Sequence, residues 1–237
     1  MNRLVRADLK RIIAKPSLYV VVIIMALIVL FKSPASTAAE HMDFYKVFFN
    51  SFGLTFVLIP IYLSVYTDEI KSGIMISVIG MGMSRKSIVR SKLRDSFILL
   101  CGTYAILFLT ALLKNSIMEL PITPTQNAFL LLFCVFCIIR GIGIIALASL
   151  VLFLTMSSSG GMLVMIVVGV TAQGILQKLQ ESTKLPVYDL SYIGLLDDSF
   201  AQFQAGNVGG SLIVALFYLL IVIVVNVLTF DRKEMDL

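Results

Sequence analysis

Residues Thr67–Arg94 read TDEIKSGIMISVIGMGMSRKSIVRSKLR, one long polar and basic stretch set between the apolar runs Phe44–Tyr66 and Ser96–Leu113. Crossing about 30 Å of hydrocarbon as a helix takes about 20 mostly apolar residues. Working outward from these two runs, four more stretches approach that specification: Ser17–Ser36, Asn127–Phe153, Gly161–Leu176 and Gly209–Phe230. Composition agrees, with 59% hydrophobic and 14% charged residues and a mean hydropathy of +0.98, far from soluble globular usage. The runs are too long and continuous for barrel strands, and lipid offers main-chain polar groups no partner. The sequence therefore predicts an all-α membrane protein of six transmembrane helices, one transmembrane domain over residues 1–237.

Lys and Arg set the orientation, because cytoplasmic loops retain them. Thirteen of the 19 basic residues fall on one side: Arg3, Arg6, Lys10, Arg11 and Lys15, then Lys71, Arg85, Lys86, Arg90, Lys92 and Arg94, then Arg232 and Lys233. The other side carries Lys32, Lys46, Lys114, Lys178 and Lys184 among seven acidic residues. Both termini are expected in the cytoplasm. The net charge of +5 is then a topology signal; nucleic-acid binding would call for a solvated basic face.

Residues 2–15 place Leu4, Val5, Leu9, Ile12 and Ile13 on one half of a helical wheel and Arg3, Arg6, Lys10 and Arg11 on the other. This predicts an interfacial elbow helix over 1–16, ended by Pro16. An ordinary basic flank, or a cleaved signal peptide formed by the Leu18–Phe31 core and the following SPASTAA, are the alternatives.

The sequence carries no catalytic signature. Cys101, Cys134 and Cys137 lie inside predicted spans, and CVFC has no second pair to complete a zinc site. His41, the single histidine, sits in an outer loop beside Asp43. There is no HExxH and no GxxxxGK[ST] phosphate loop, so no catalytic residue, metal site or bound cofactor is expected.

Polar side chains within the spans cost free energy unless they face a protein interior or water. Arg140, in FCVFCIIRGIGII, stands near the middle of the fourth span, at about 2.5–3.5 kcal/mol on insertion scales. No Asp or Glu lies within the predicted span limits, so its candidate partners are Asn50, Gln173, Asn226, main-chain carbonyls or an anionic group of a substrate or lipid. Arg140, Asn50 and Gln173 are the candidate path-lining set. A structural tie between helices, or a misplaced span boundary, are the competing readings for Arg140. Lys46 and Lys114 are expected to snorkel outward, and Asn50 and Gln173 to make interhelical hydrogen bonds.

Within the polar stretch, Ile70, Ile74 and Val78 share one helical face, Gly80 and Gly82 break it, and Ser84 can cap a new helix. Either a solvated loop or a docking helix fits this pattern. The wording DEIKSGIMISVIGMGMSRKSIVRSKL resembles the loop between the second and third helices of ABC-2-type permeases, the transmembrane subunits of bacterial ABC exporters. Their loop runs as an acidic pair, a Lys-Ser-Gly or similar, an apolar helix, a Gly/Ser-Arg turn and a basic helix ending in Lys-Leu. Six spans, the basic elbow, a long outer segment and the tail FDRKEMDL agree with that family. Ile74 in place of the usual Thr, and a GMGMSR turn without Pro, are departures.

The resemblance implies that residues 67–94 hold a coupling helix seated in a separate ATPase subunit, with Asp68, Glu69, Lys71, Gly73 and Arg85 at or near the contact. It also implies two ATP-binding subunits carrying ATP and magnesium, a second permease copy, and a bacterial plasma membrane location with membrane lipid around it. The outer segment 177–208 would form short re-entrant helices before the last span. By analogy with small exporters, the cargo would be an amphipathic peptide or a hydrophobic drug. A membrane scaffold or sensor using the same loop to hold a cytoplasmic partner is the reading from a different class.

Overall fold

In the computed structural model, residues 10–12, 15–32, 37–67, 70, 79–80, 82–120, 122–207 and 209–232 are described. Lys15 occupies the N-cap position and Pro16 the first turn of α1 (Pro16–Phe31), where its missing N–H is an orphan donor anyway. Thr37 opens α2 (Ala38–Val47) through a capping box with Glu40. The same helical run passes through a π turn (Phe48–Phe52), α3 (Gly53–Tyr62) and a second π turn (Leu63–Thr67). Pro60 lies inside α3 and removes one donor from the ladder just before the second π turn.

Then follow α4 (Arg85–Ile117) and α5 (Pro124–Thr155). The next run comprises α6 (Ser158–Ile166), a π turn (Val167–Thr171) and α7 (Ala172–Thr183). After a loop come α8 (Tyr192–Gln204) and α9 (Ser211–Arg232). No strand occurs among the described residues.

Five helical runs are long and apolar enough to cross a membrane: Ala39–Thr67, Arg85–Ile117, Pro124–Thr155, Ser158–Thr183 and Ser211–Arg232. α1 is apolar but has 16 residues. At 1.5 Å per residue it rises about 24 Å, less than the hydrocarbon thickness. The chain is thus a multi-pass helical membrane protein, with a sixth apolar helix shorter than a full span. Residues 10–12 of the expected elbow are helical, with Ile12 buried in the core; residues 1–9 and 13–14 lie outside the described set.

The helices alternate in direction. At one end Lys86, at the start of α4, pairs with Asp231 at the end of α9 (3.2 Å), and Phe153 packs on Phe230 with ring centroids 4.3 Å apart. At the other end Tyr45 donates to Asn115 Oδ1 at 2.7 Å. Lys114, expected to snorkel, is instead 2% exposed. Its Nζ donates to the Lys32 carbonyl at 2.5 Å and lies 5.5 Å from the Phe44 ring centroid, so an orphan carbonyl at the end of α1 and an aromatic face replace water. Lys46 is half-buried and pairs with the exposed Asp43 at 3.5 Å.

The core gathers α1, α3, α4 and α5 around Met25, Leu58, Tyr62, Leu100, Tyr104 and Ile145. Gly161 permits the α6 contact: a Cβ built there would lie 1.8 Å from the Tyr62 hydroxyl. Asn226 ties α9 to α5, donating to the Ala146 carbonyl and to Ser149 Oγ, each at 2.7 Å. The outer faces of α6, the π turn after it and α9 remain apolar and exposed, with Leu163, Val170, Ile213, Phe217 and Leu220 all more than half exposed.

Candidate functional site

Arg140 lies 16 residues into α5, about 24 Å from its start at helical rise, and is 6% exposed. A guanidinium presents five donors in a planar fork and must find acceptors when water is excluded. Three converge on it from different parts of the chain. Nη1 donates to Asn50 Oδ1. Nη2 donates to Asp197 Oδ1 at 2.8 Å and to the Ile193 carbonyl at 3.4 Å. Asn50 is presented by the first π turn, whose extra residue per turn re-aims side chains relative to a regular helix.

Asp197 is on α8, which folds back along α5 from the outer segment. The sequence pattern explains that return: Ile193, Leu195, Leu196 and Ser199 form a buried face of α8, Phe200 packs on Phe133 and Phe136 with centroids 5.0 and 5.6 Å away, and Ser191 caps the helix by accepting from Gly194 N. Tyr192 donates to the Ile139 carbonyl at 2.6 Å, and its ring takes the space that a side chain at position 143 would need. A Cβ on Gly143 would stand 2.3 Å from that ring.

The network extends outward through the other Asp197 oxygen. Tyr188 donates to Asp197 Oδ2, and Gln173 Nε2 donates to the Tyr188 hydroxyl at 3.4 Å. Gln180 fixes the loop that carries Tyr188, accepting from Tyr188 N at 2.8 Å and donating to Asp189 at 2.8 Å. Burial pushes the Tyr188 hydroxyl above its ordinary range, and the hydrogen bond to Asp197 adds to the rise. Burial likewise raises Tyr192. Tyr188 is therefore a stable donor across the physiological range.

The three path-lining candidates thus meet in one chain of contacts, Asn50 directly on Arg140 and Gln173 through Tyr188 and Asp197. Asn226, also considered as a partner, binds elsewhere. Asp197 and Tyr188 lie outside the apolar runs and so are absent from the expected partners of Arg140; the carboxylate arrives on a returning helix. The signal available was an acidic pair, Asp197–Asp198, in a segment with nine large apolar or aromatic residues from Leu185 to Phe200. α4 also runs unbroken from Arg85, so Asp95, just outside the expected third span, is inside the helix and fully buried.

The space beside Arg140, walled by Asn50, Cys137, Asp197 and Phe200, is about 10 Å³, room for about one water. Of the expected coupling residues, Arg85 is the first residue of α4, behind Ser84 at its N-cap position; Asp68, Glu69, Lys71 and Gly73 lie outside the described residues. Among the described residues no group of His, Cys, Asp and Glu could hold a metal ion.

Comparison with protein-family models, with curated proteins and with solved structures finds no match to this chain.

Proposed function

We propose that this chain is the transmembrane subunit of an ATP-driven exporter of the ABC-2 type, working with a separate ATPase. The observation that carries the reading is the Arg140–Asp197 clamp, a charge pair joining a buried guanidinium on a central helix to a partly exposed carboxylate on a returning outer helix. A clamp of this kind suits a gate, because a charge pair has two discrete arrangements, joined or hydrated apart. The ATPase would seat on residues 67–94, with Asp68, Glu69, Lys71, Gly73 and Arg85 at the contact. Nucleotide binding there would move the inner end of α4, and the helix, continuous over 33 residues, would carry the displacement toward the clamp end. Opening would part Asp197 from Arg140 and expose Asn50, Arg140 and Gln173 to an outward-moving amphipathic peptide or hydrophobic molecule. A second copy would supply the other wall of the path, in a bacterial plasma membrane with both termini inside.

The test is affinity purification of the tagged chain from its native membrane, followed by identification of co-eluting proteins. An ATP-binding protein that co-elutes with wild type and is lost from Asp68→Lys/Glu69→Lys supports the exporter. A stable partner without nucleotide-binding motifs, lost from the same variant, would make the chain a scaffold or sensor.

A further inference from the structure

The exposed face of α4 changes character once along its length. From Phe97 onward its large exposed side chains are apolar: Phe97, Ile98, Ile106, Leu109, Leu113 and Ile117. At helical rise the stretch from Phe97 to Ile117 measures about 30 Å, one hydrocarbon thickness. Toward the start of the helix the same face turns basic, with Lys86, Arg90 and Arg94 exposed at intervals of four residues.

Phe97 therefore marks the edge of the acyl region. Arg94 stands about 4–5 Å past it along the helix and Arg90 about 10 Å, so the polar headgroup layer, about 5–8 Å deep, lies level with this pair. Lys86 is farther out, where it pairs with Asp231 at 3.2 Å. Arg90 and Arg94 have no such neighbour. Among the described residues neither makes an ion pair or a hydrogen bond, and the positions three and four residues away on the same face hold Lys86, Ser87, Leu93, Phe97 and Ile98 besides each other. Two like charges one turn apart repel, so the pair calls for an anion from outside the chain.

Charge and depth together select that anion. An apolar helix laid on this face would strip water from two guanidiniums and return no acceptor. A second copy related by a two-fold axis would set arginine against arginine. A lipid phosphate offers the planar fork of each guanidinium a pair of oxygens, and phosphates are the abundant anions at this depth.

We propose that Arg90 and Arg94 form a site for the headgroup phosphate of an anionic phospholipid in the leaflet at the Lys86 end of the bundle. The two side chains share one phosphodiester, and a headgroup without a cation of its own is preferred because choline or ethanolamine would be repelled by the second arginine. The site rests on the membrane-spanning character of α4 and is independent of any ATPase.

The test titrates the full chain, in neutral detergent, with dioleoylphosphatidylglycerol or dioleoylphosphatidylcholine and counts bound lipid by native mass spectrometry. Wild type binds the anionic lipid about 30-fold more tightly, as two basic side chains near a membrane surface imply. Each of Arg90→Gln and Arg94→Gln loses about five-fold, and Arg90→Gln/Arg94→Gln loses the preference altogether, with a lipid-free melt equal to that of wild type. Arg232→Gln, at an exposed arginine on the same end of the bundle, keeps it within about two-fold. The wild-type comparison and the single variants carry the test even if the double variant does not fold. Equal binding of the two lipids by wild type, a preference that survives Arg90→Gln/Arg94→Gln, or an equal loss from Arg232→Gln overturns the site. Displacement of the lipid by inorganic phosphate at the same concentration overturns it in favour of a soluble phosphate. A protein retained from native membranes without lipid, and lost from the double variant, overturns it in favour of an acidic protein partner.

Discussion

Replacing Asp197 by Ala leaves the Arg140 guanidinium in place, 6% exposed, with Asn50 and one carbonyl as acceptors and no counter-charge on the returning helix. Two unit charges 2.8 Å apart attract by about 6 kcal/mol at an effective dielectric of about 20. That is a ceiling, since the Asp197 side chain is 36% exposed and some of the attraction is exchanged for hydration. Exposed pairs contribute about 0–1 kcal/mol, and removing one partner of a buried pair costs about 3–5 kcal/mol. A pair with one buried and one partly hydrated member falls between, at about 2 kcal/mol.

The chain reports on this site with its own chemistry. Cys137 is 2% exposed and walls the space beside Arg140, so its thiol reacts only when α8 lifts away. In a Cys101→Ala/Cys134→Ala background, Asp197→Ala should raise the labelling rate by a maleimide dye about 30-fold, the equivalent of about 2 kcal/mol in the opening equilibrium. In the thermal melt of the purified chain, the same variant should fall by about 4–8 °C. The double variant Arg140→Leu/Asp197→Ala should recover most of the loss, giving a coupling energy of about 2 kcal/mol. A labelling rate within about three-fold of the parent, or strictly additive single and double variants, would refute the clamp.

Gly161→Ala, whose new Cβ meets the Tyr62 hydroxyl and the Ala148 carbonyl, should cost about 1–3 kcal/mol in the melt. Tyr62→Phe removes a buried hydroxyl with no hydrogen-bond partner, so it should be neutral or stabilising in wild type and should relieve part of the Gly161→Ala loss. Asn226→Ala breaks two hydrogen bonds between α9 and α5; with interhelical bonds averaging about 0.6 kcal/mol, a loss of about 1 kcal/mol is expected. Gly143→Ala should displace the Tyr192 ring and expose Cys137 to the dye much as Asp197→Ala does, because both free α8.

Hydrophobic run length placed most of the bundle in the sequence: the apolar runs beginning near Phe44, Ser96, Asn127, Gly161 and Gly209 all fall within long helices. Ser84 was legible as the start of α4 because the preceding Gly80–Gly82 breaks the pattern. Run length could not reveal how far α4 and α5 extend, since polar residues such as Arg90 and Asp95 are compatible with helix and differ only in solvation. For the site, the cost of a mid-span guanidinium drew attention to Arg140 from its place in the run, and scarcity of acceptors offered Asn50, Gln173 and Asn226 as partners, of which Asn50 touches it, Gln173 reaches it through Tyr188 and Asp197, and Asn226 binds elsewhere. Asp197 was not legible by the same logic. Its contact depends on the path of the chain across 57 positions, which periodicity does not encode, and on a Tyr-over-Gly fit between α8 and α5 that only the packed backbone displays.

The Arg140 counter-charge comes late in the chain. Asn50 precedes Arg140 by 90 positions, but Asp197 follows it by 57. At about 5–20 residues per second, synthesis leaves α5 without its carboxylate for roughly three to eleven seconds after Arg140 has been made. During that interval the nascent helix has, among the described residues, the Asn50 amide as its side-chain acceptor from the earlier chain. Biogenesis therefore depends on the order of translation: the first three long helical runs must be held together, or held at an aqueous protein-lined interface, until the outer segment emerges.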